Sequence, residues 1–105
     1  PPDVINSLRE VGAVIQGGIR VGAGDNVFRF GERTLAVLLQ GVGTGTARGI
    51  ATRILQECAA RSGGSYGLSA GLAELSEGMT ALDLVRRAEE ALLVARNTGP
   101  GCVYP

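Results

Sequence analysis

Apolar residues recur at intervals of three and four in three segments of the chain, which is the spacing of helices that bury one face. The first segment predicts a helix over residues 3–20, and Asp3 is placed to cap its first turn. Its apolar positions are Val4, Ile5, Leu8, Val11, Ile15 and Ile19. Gly17 and Gly18 weaken the last turn, because glycine costs about 1 kcal/mol relative to alanine within a helix.

Two short segments rich in aromatic and branched residues follow the first helix and predict a β-hairpin. The strands are expected at 26–30 and 34–40, joined by the three residues Gly31-Glu32-Arg33. Residues 35–39 are all apolar, and a continuous apolar run is typical of a strand that is covered on both faces. We therefore expect the second strand to be buried on both sides.

A glycine-rich connection at 41–45 leads into the second predicted helix, which ends at Gly63-Gly64. The apolar face of this helix consists of Ala47, Ile50, Ala51, Ile54, Leu55 and Cys58. Residues 65–73 predict another strand. Its small residues at 69–71 indicate that this strand lies very close to a neighbouring element.

The third predicted helix begins at Thr80 and Asp83, whose spacing resembles a capping box. Its apolar positions are Ala81, Leu84, Val85, Ala88, Leu92 and Ala95. The helix stops before Pro100, and a last short strand is expected at 102–104. The order helix, hairpin, helix, strand, helix, strand indicates an α+β domain in which helices pack on a mainly antiparallel sheet.

The composition describes one small domain with balanced charge. Of the 105 residues, 45% are hydrophobic and 19% are charged, which is typical of a soluble globular domain rather than of a disordered chain. Ten basic residues balance ten acidic ones, whereas a protein that neutralises nucleic-acid phosphates normally carries a basic surplus. We therefore expect a single domain over residues 1–105 that does not bind nucleic acid.

All ten basic residues are arginine, so chemistry that needs histidine or lysine is excluded. This removes a histidine base or metal ligand, a Schiff-base lysine and the lysine of a phosphate-binding P-loop. Cys58 and Cys102 are too few for a disulfide scaffold or a zinc site, which favours a reducing, cytoplasmic compartment. Cys58 is interpreted as a core residue, and Cys102 has no histidine to activate it as a nucleophile.

No segment approaches the roughly 20 consecutive apolar residues that a membrane span needs, and the N-terminus does not resemble a signal peptide. The chain starts with Pro1-Pro2, which is typical of a linker. We therefore expect no membrane span in this segment and a position within a larger protein.

One loop has the composition of an anion site. The run from Gly41 to Gly45 connects a strand to a helix, where free backbone amides and the helix dipole favour a phosphate. The dinucleotide-binding pattern needs a third glycine at the position of Thr46. A plain connection is the simpler interpretation, and a small α/β enzyme that binds a phosphorylated substrate at this loop is an alternative.

The predicted hairpin turn carries the most informative motif. The run Arg29-Phe30-Gly31-Glu32-Arg33-Thr34-Leu35 resembles the signature of GGDEF domains, the diguanylate cyclases, which typically read Arg-Tyr-Gly-Gly-Asp/Glu-Glu-Phe. Three further pieces resemble that family in the same order. They are Asp25, the segment 67–73, and the segment 88–96 followed by Gly99. The likeness covers about residues 4–104.

The resemblance implies a ferredoxin-like palm, the sheet of nucleotide cyclases, with helices packed on it. The first strand of the family carries a metal-binding Asp and has no counterpart in this sequence. It is therefore expected to be supplied by an upstream part of the parent protein or by another subunit, unless the sheet has rearranged. A protein partner or a homo-oligomer is expected on this basis.

The signature departs from the family where catalysis needs acidic residues. The degenerate signature consists of Gly31, Glu32, Arg33, Thr34 and Leu35. Arg33 and Thr34 occupy the positions that are acidic in active members, and phosphoryl transfer depends on positioning and charge neutralisation. A cation that faces a divalent metal ion at about 4 Å meets roughly 8 kcal/mol of repulsion at an effective dielectric constant near 20.

These departures predict a non-catalytic domain with no catalytic residues, no metal and no cofactor. The expected function is that of an interaction or regulatory module in bacterial cyclic diguanylate signalling. An alternative keeps binding of cyclic diguanylate or GTP without turnover. The residues that the resemblance offers for this binding are Arg20, Asp25, Arg29 and Arg96. The family's inhibitory-site arginine would fall at Gly22, so Arg20 substitutes for it only if the loop bulges.

Overall fold

The computed structural model describes residues 2–64 and 66–105, with side chains from residue 6 onwards. Its helices are α1 (Pro2–Gly18), α2 (Thr44–Ser62) and α3 (Ala81–Thr98), and a short 3-10 turn spans Val21–Ala23. Its strands are β1 (Asn26–Gly31), β2 (Thr34–Leu38), β3 (Ala70–Gly71) and β4 (Val103–Tyr104). The predicted order of elements and the α+β class are confirmed. Pro1 of the predicted linker and Ser65 of the predicted strand lie outside the described residues.

The main core lies between α1 and α2. Its buried residues are Val11, Val14, Ile15, Ile54 and Cys58. Val27 of β1, Leu35 of β2 and Leu68 pack against this cluster and are half-buried. All of the buried residues except Val14 belong to the predicted apolar faces of the two helices, so those faces meet where the side chains are described, from residue 6 onwards. α1 begins at Pro2, one residue before the predicted start, and ends at Gly18, two residues before the predicted end, and proline is well tolerated in a first turn. The side chain of Asp3, the predicted cap, lies outside the described residues.

β1 and β2 form an antiparallel hairpin. Val27 pairs with Val37 and Gly31 with Thr34, so the turn consists of two residues rather than three. The prediction that β2 is covered on both faces is wrong, since Val37 is 37% exposed and Leu38 is 43% exposed. The helical core covers one side of this two-stranded hairpin, and its other side remains open to solvent.

β3 and β4 form a separate, parallel pair in which Ala70 lies beside Val103. The predicted strand at 65–73 is therefore only two residues long in the described chain. The prediction of one mainly antiparallel sheet is also wrong for residues 2–64 and 66–105, whose strands form two independent pairs.

The small residues of β3 allow a very close approach to α3, as their size predicts. A methyl group on Gly71 would contact the backbone nitrogen of Leu92 and would lie 2.6 Å from the carbonyl oxygen of Ala88. Because these are helix backbone atoms, no side-chain rotation would relieve the overlap. Gly71 therefore sets the distance between β3 and α3.

α3 begins with the predicted capping box. The Thr80 hydroxyl accepts a hydrogen bond from the Asp83 backbone N–H at 3.1 Å, and the Asp83 carboxylate accepts one from the Thr80 N–H at 3.0 Å. Ala91 and Ala95 of α3 are buried, whereas the opposite face of the helix is exposed. Among the described residues, no helix combines the length and the apolarity that crossing a membrane requires.

Candidate functional site

The hairpin turn that carries the degenerate signature binds a guanidinium from its own strand. Arg29 donates a hydrogen bond from Nε to the Gly31 carbonyl oxygen and another from Nη2 to the Glu32 carbonyl oxygen, both at 2.8 Å. The side chains of Glu32 and Arg33 are exposed at the tip. The positive charge of Arg29 therefore lies against the turn carbonyls, and that of Arg33 projects from the tip of the turn.

The remaining residues of the signature contribute to core packing and to strand pairing. Leu35 packs against the α1–α2 core, and Gly31 closes the strand pairing opposite Thr34. Thr34 is half-buried and faces the space between the hairpin and α3. In the part of the chain that is described, no three acidic or cysteine side chains come together as ligands for a metal ion.

Arg20 and Asp25, two of the predicted nucleotide-binding residues, bind each other. The Asp25 side chain is 1% exposed and forms an ion pair with Arg20, at 3.1 Å between Nε and Oδ2. Asp25 also accepts backbone N–H bonds from Arg20 at 2.9 Å and from Gln40 at 2.8 Å. Arg20 in turn donates to the Gln40 carbonyl oxygen.

This cluster ties the end of α1 to both strands of the hairpin at the end opposite the turn. The N–H groups of Gln40 and Arg20 lower the pKa of the Asp25 carboxyl below its usual value, and the guanidinium of Arg20 adds to this effect. Gln40 also leaves the strand to make this contact, so β2 ends at Leu38, two residues before its predicted end.

The four predicted nucleotide-binding residues therefore fall into separate places. Arg20 and Asp25 lie at the base of the hairpin, and Arg29 lies near its tip, four residues or about 13 Å further along the strand. Arg96 is on α3. The structure brings together the first two only, and it uses three of the four in internal hydrogen bonds.

A groove of about 470 Å³ separates the hairpin from α3. Phe30 and Thr34 line it on the hairpin side, and Phe30 is 43% exposed. The α3 side is formed by Arg86, Glu89, Glu90, Leu92, Leu93 and Arg96. The groove thus combines apolar surface with two guanidinium groups and two carboxylates.

The glycine-rich loop before α2 holds a carboxylate of the same chain. Glu74 accepts hydrogen bonds from the Thr44 backbone N–H at 2.9 Å and from its hydroxyl at 2.8 Å. These bonds lower the pKa of the Glu74 carboxyl. Because Thr44 is the first residue of α2, Glu74 occupies the place where a phosphate at the helix N-terminus would bind. A phosphorylated ligand at Gly41–Gly45 would have to displace it.

The polar contact between Tyr66 and Glu10 was also not predicted from the sequence. The Tyr66 hydroxyl donates to the Glu10 carboxylate at 2.5 Å and adjoins Cys58, which is fully buried, as predicted for a core residue. Burial raises the pKa of both the Tyr66 hydroxyl and the Cys58 thiol. A lone tyrosine in a glycine-rich segment gives no periodic signal that would have revealed this partner 56 residues away.

A second feature that was not predicted from the sequence is on α3. Leu82 and Leu93 are 56% and 59% exposed on the face opposite the buried alanines. They fall outside the predicted apolar stripe. In the sequence, the only indication of this feature was that two leucines recur on the otherwise polar face of the helix.

Comparison of the chain with protein-family models, with curated proteins and with solved structures finds no match.

Proposed function

We propose that this chain is a non-catalytic, GGDEF-like signalling domain that acts as an interaction or regulatory module in cyclic diguanylate signalling. The order of its elements and the position of its hairpin motif support this proposal. In its finer form, the fold is a palm whose two strand pairs are joined by a strand from a partner or from elsewhere in the protein. The division of the strands into two independent pairs is consistent with such an addition.

The observation that carries the non-catalytic part is the charge at the hairpin turn. In active family members this turn serves metal ions, and metal-assisted phosphoryl transfer needs negative groups there. Here the turn carbonyls of Gly31 and Glu32 accept hydrogen bonds from the Arg29 guanidinium, and the next side chain is Arg33. A divalent cation approaching this turn would be repelled by both guanidinium groups.

The test is an activity assay of the chain with GTP and either Mg²⁺ or Mn²⁺. We expect no cyclic diguanylate above the level of a sample without protein, as resolved by chromatography. An active diguanylate cyclase in the same buffer serves as the positive control. Metal-dependent appearance of the cyclic dinucleotide would overturn the proposal.

Nucleotide binding without turnover is a second candidate, and the groove between the hairpin and α3 favours it. Phe30 offers an aromatic face for a base, and Arg86 and Arg96 offer guanidinium groups for phosphates. Calorimetric titration with cyclic diguanylate and with GTP tests this candidate. We expect heat of binding that Arg96→Ala reduces and Arg48→Ala, an exposed change on α2, leaves unchanged. No heat at high micromolar nucleotide would eliminate it.

A further inference from the structure

The solvent face of α3 carries a short ridge in which two leucines flank an arginine and a glutamate. We define the α3 ridge as Leu82, Arg86, Glu89 and Leu93. At 100° per residue the four side chains fall within a sector of about 60°, and the outer two are about 16 Å apart along the axis. The two leucines are more than half exposed. Single exposed leucines are common on protein surfaces, so the spacing of these four residues is the informative feature.

The ridge is complementary to itself when the helix direction is reversed. Its spacings are four, three and four residues, so they read the same from either end. Reversal exchanges Leu82 with Leu93, and it exchanges Arg86 with Glu89. Two copies packed antiparallel would therefore place leucine against leucine and a guanidinium against a carboxylate, with each contact made twice.

We propose that α3 is a self-association surface on which a second copy of this chain packs its own α3 antiparallel. Along α3, the two-fold axis lies at the height midway between residues 87 and 88, which is the midpoint of the ridge. A two-fold contact requires one patch that is complementary to itself, and the ridge has this property in both spacing and charge. The inference uses only α3 and the hairpin and does not rest on the proposed signalling function.

The surroundings of the ridge fit a partner helix. Arg86, Glu89 and Leu93 also line the groove of about 470 Å³, whose far wall includes the exposed ring of Phe30. A partner helix beside α3 would insert its side chains into this groove, as helix pairs do. Within residues 6–64 and 66–105, neither Arg86 nor Glu89 forms an ion pair with its own chain, so both remain available.

A second copy explains the ridge better than an unrelated partner does. An unrelated protein needs complementary charge only somewhere on its own surface, and it places no symmetry requirement on the spacing in this chain. A pair of single helix faces buries less area than a standard interface of about 1,600 Å². The dimer is therefore expected to be weak, with a dissociation constant in roughly the micromolar range or above.

The decisive experiment exchanges the charges of the ridge. Arg86→Glu alone and Glu89→Arg alone each create two like-charge contacts across the axis, so each variant should self-associate at least about tenfold more weakly. An equimolar mixture of the two variants should associate again, because each acidic pair then faces a basic pair. The double variant R86E/E89R should also self-associate. Sedimentation equilibrium at low ionic strength measures these four samples and the wild type, and added salt should weaken the wild-type dimer.

Arg87→Glu and Glu57→Arg are the matched control. They make the same changes of net charge outside the ridge and outside the groove, because Arg87 lies on another side of α3 and Glu57 lies on α2. Each should self-associate as the wild type does, and their mixture should show no gain. Circular dichroism should give the wild-type helical signal for every variant, because all four positions are exposed.

Three outcomes would overturn the proposal. The first is a wild-type chain that stays monomeric at its highest soluble concentration at low ionic strength. The second is single ridge variants that associate as strongly as the wild type. The third is a control pair that behaves like the ridge pair, which would indicate a response to net charge rather than this helix register.

Discussion

At the scale of single residues, Gly71 is the position where the structure tolerates an added side chain least. A methyl group there would overlap the backbone of α3 at Leu92 and at Ala88. We predict that Gly71→Ala lowers the free energy of unfolding by about 3 kcal/mol, because forcing extra volume into a packed contact costs about 1–3 kcal/mol and helix backbone cannot yield. Urea denaturation followed by circular dichroism measures this change.

The matched control for this substitution is Gly49→Ala. Gly49 lies within α2, and a methyl group added there meets nothing within 4 Å. Alanine should stabilise the chain by up to about 1 kcal/mol, since glycine is the weaker helix former. Equal and small effects at the two positions would mean that β3 and α3 do not approach each other as described.

Asp25 is the residue on which the hairpin base depends. It is buried, pairs with Arg20, and accepts two backbone N–H bonds. We predict that Asp25→Asn lowers the thermal midpoint by several degrees at pH 7, because an amide group replaces a charged acceptor with one that also presents donors. Differential scanning calorimetry measures the midpoint, with the exposed loop change Glu77→Gln as the control.

The pH dependence of this effect has a definite sign. The folded-state pKa of Asp25 lies below the ordinary value of 3.8, so its contribution is complete above that value and disappears as the pH falls through the lowered pKa. The difference between Asp25→Asn and the wild type should therefore shrink at pH 2. A difference that stays constant from pH 7 to pH 2 would contradict the hydrogen-bonded, ionised state of Asp25.

At the scale of elements, the sequence predicts the helices better than the strands. Helices leave local signals: the Thr80–Asp83 spacing predicts the start of α3, and apolar periodicity predicts the face that α2 buries. Strands depend on partners that are distant in sequence. Gly71 and Tyr104 pair across 33 residues, and nothing local shows that only two residues on each side take part.

The capping box of α3 gives a prediction at this scale. We expect Thr80→Ala to lower the free energy of unfolding by about 1 kcal/mol, because the N–H of Asp83 loses its acceptor at the helix start. Thr98→Ala, at the other end of the same helix, removes only a hydroxyl that donates to the Val94 carbonyl oxygen and should change stability by less than about 0.5 kcal/mol. Chemical denaturation of both variants compares them directly, and equal costs would contradict the capping role.

At the scale of the whole molecule, what the sequence could not predict is the arrangement of sites. Arg20, Asp25, Arg29 and Arg96 look equivalent in the sequence because each is a charged residue near a motif that resembles the GGDEF family. The fold brings only Arg20 and Asp25 together, where they hold the hairpin base, and it places the other two elsewhere. The arginine and the glutamate between two leucines of α3 were visible in the sequence, but their meaning depends on which face of the helix is buried.

Three carboxylates hold element ends throughout the molecule, and they predict its stability in acid. The pKa values of Asp25, Glu74 and Asp83 all lie below the ordinary values of 3.8 for Asp and 4.5 for Glu, mainly because of hydrogen bonds from backbone or hydroxyl groups. The unfolded chain therefore takes up protons first as the pH falls. With no histidine present, we expect a constant thermal midpoint from about pH 5 to 8 and a progressive fall below about pH 4.5. Calorimetry across this range would contradict the prediction if the midpoint were unchanged at pH 3.

The dependence of the thermal midpoint on alkaline pH has a different origin. Burial raises the folded-state pKa of Cys58 above the ordinary 9.0 and that of Tyr66 above 10.0, and the carboxylate of Glu10 adds to both shifts. Their contribution is complete below those ordinary values and is lost as the pH rises, because the unfolded chain then releases protons that the folded chain retains.

We therefore predict that the thermal midpoint falls above about pH 9 and that Tyr66→Phe makes the fall beyond about pH 10 shallower. This variant should be less stable than the wild type at pH 7, since it loses the hydrogen bond to Glu10. The two midpoints should thus converge as the pH rises. Tyr104→Phe, at an exposed position, should leave the slope unchanged, and parallel alkaline limbs for wild type and Tyr66→Phe would show that the Tyr66 hydroxyl is not buried against Glu10.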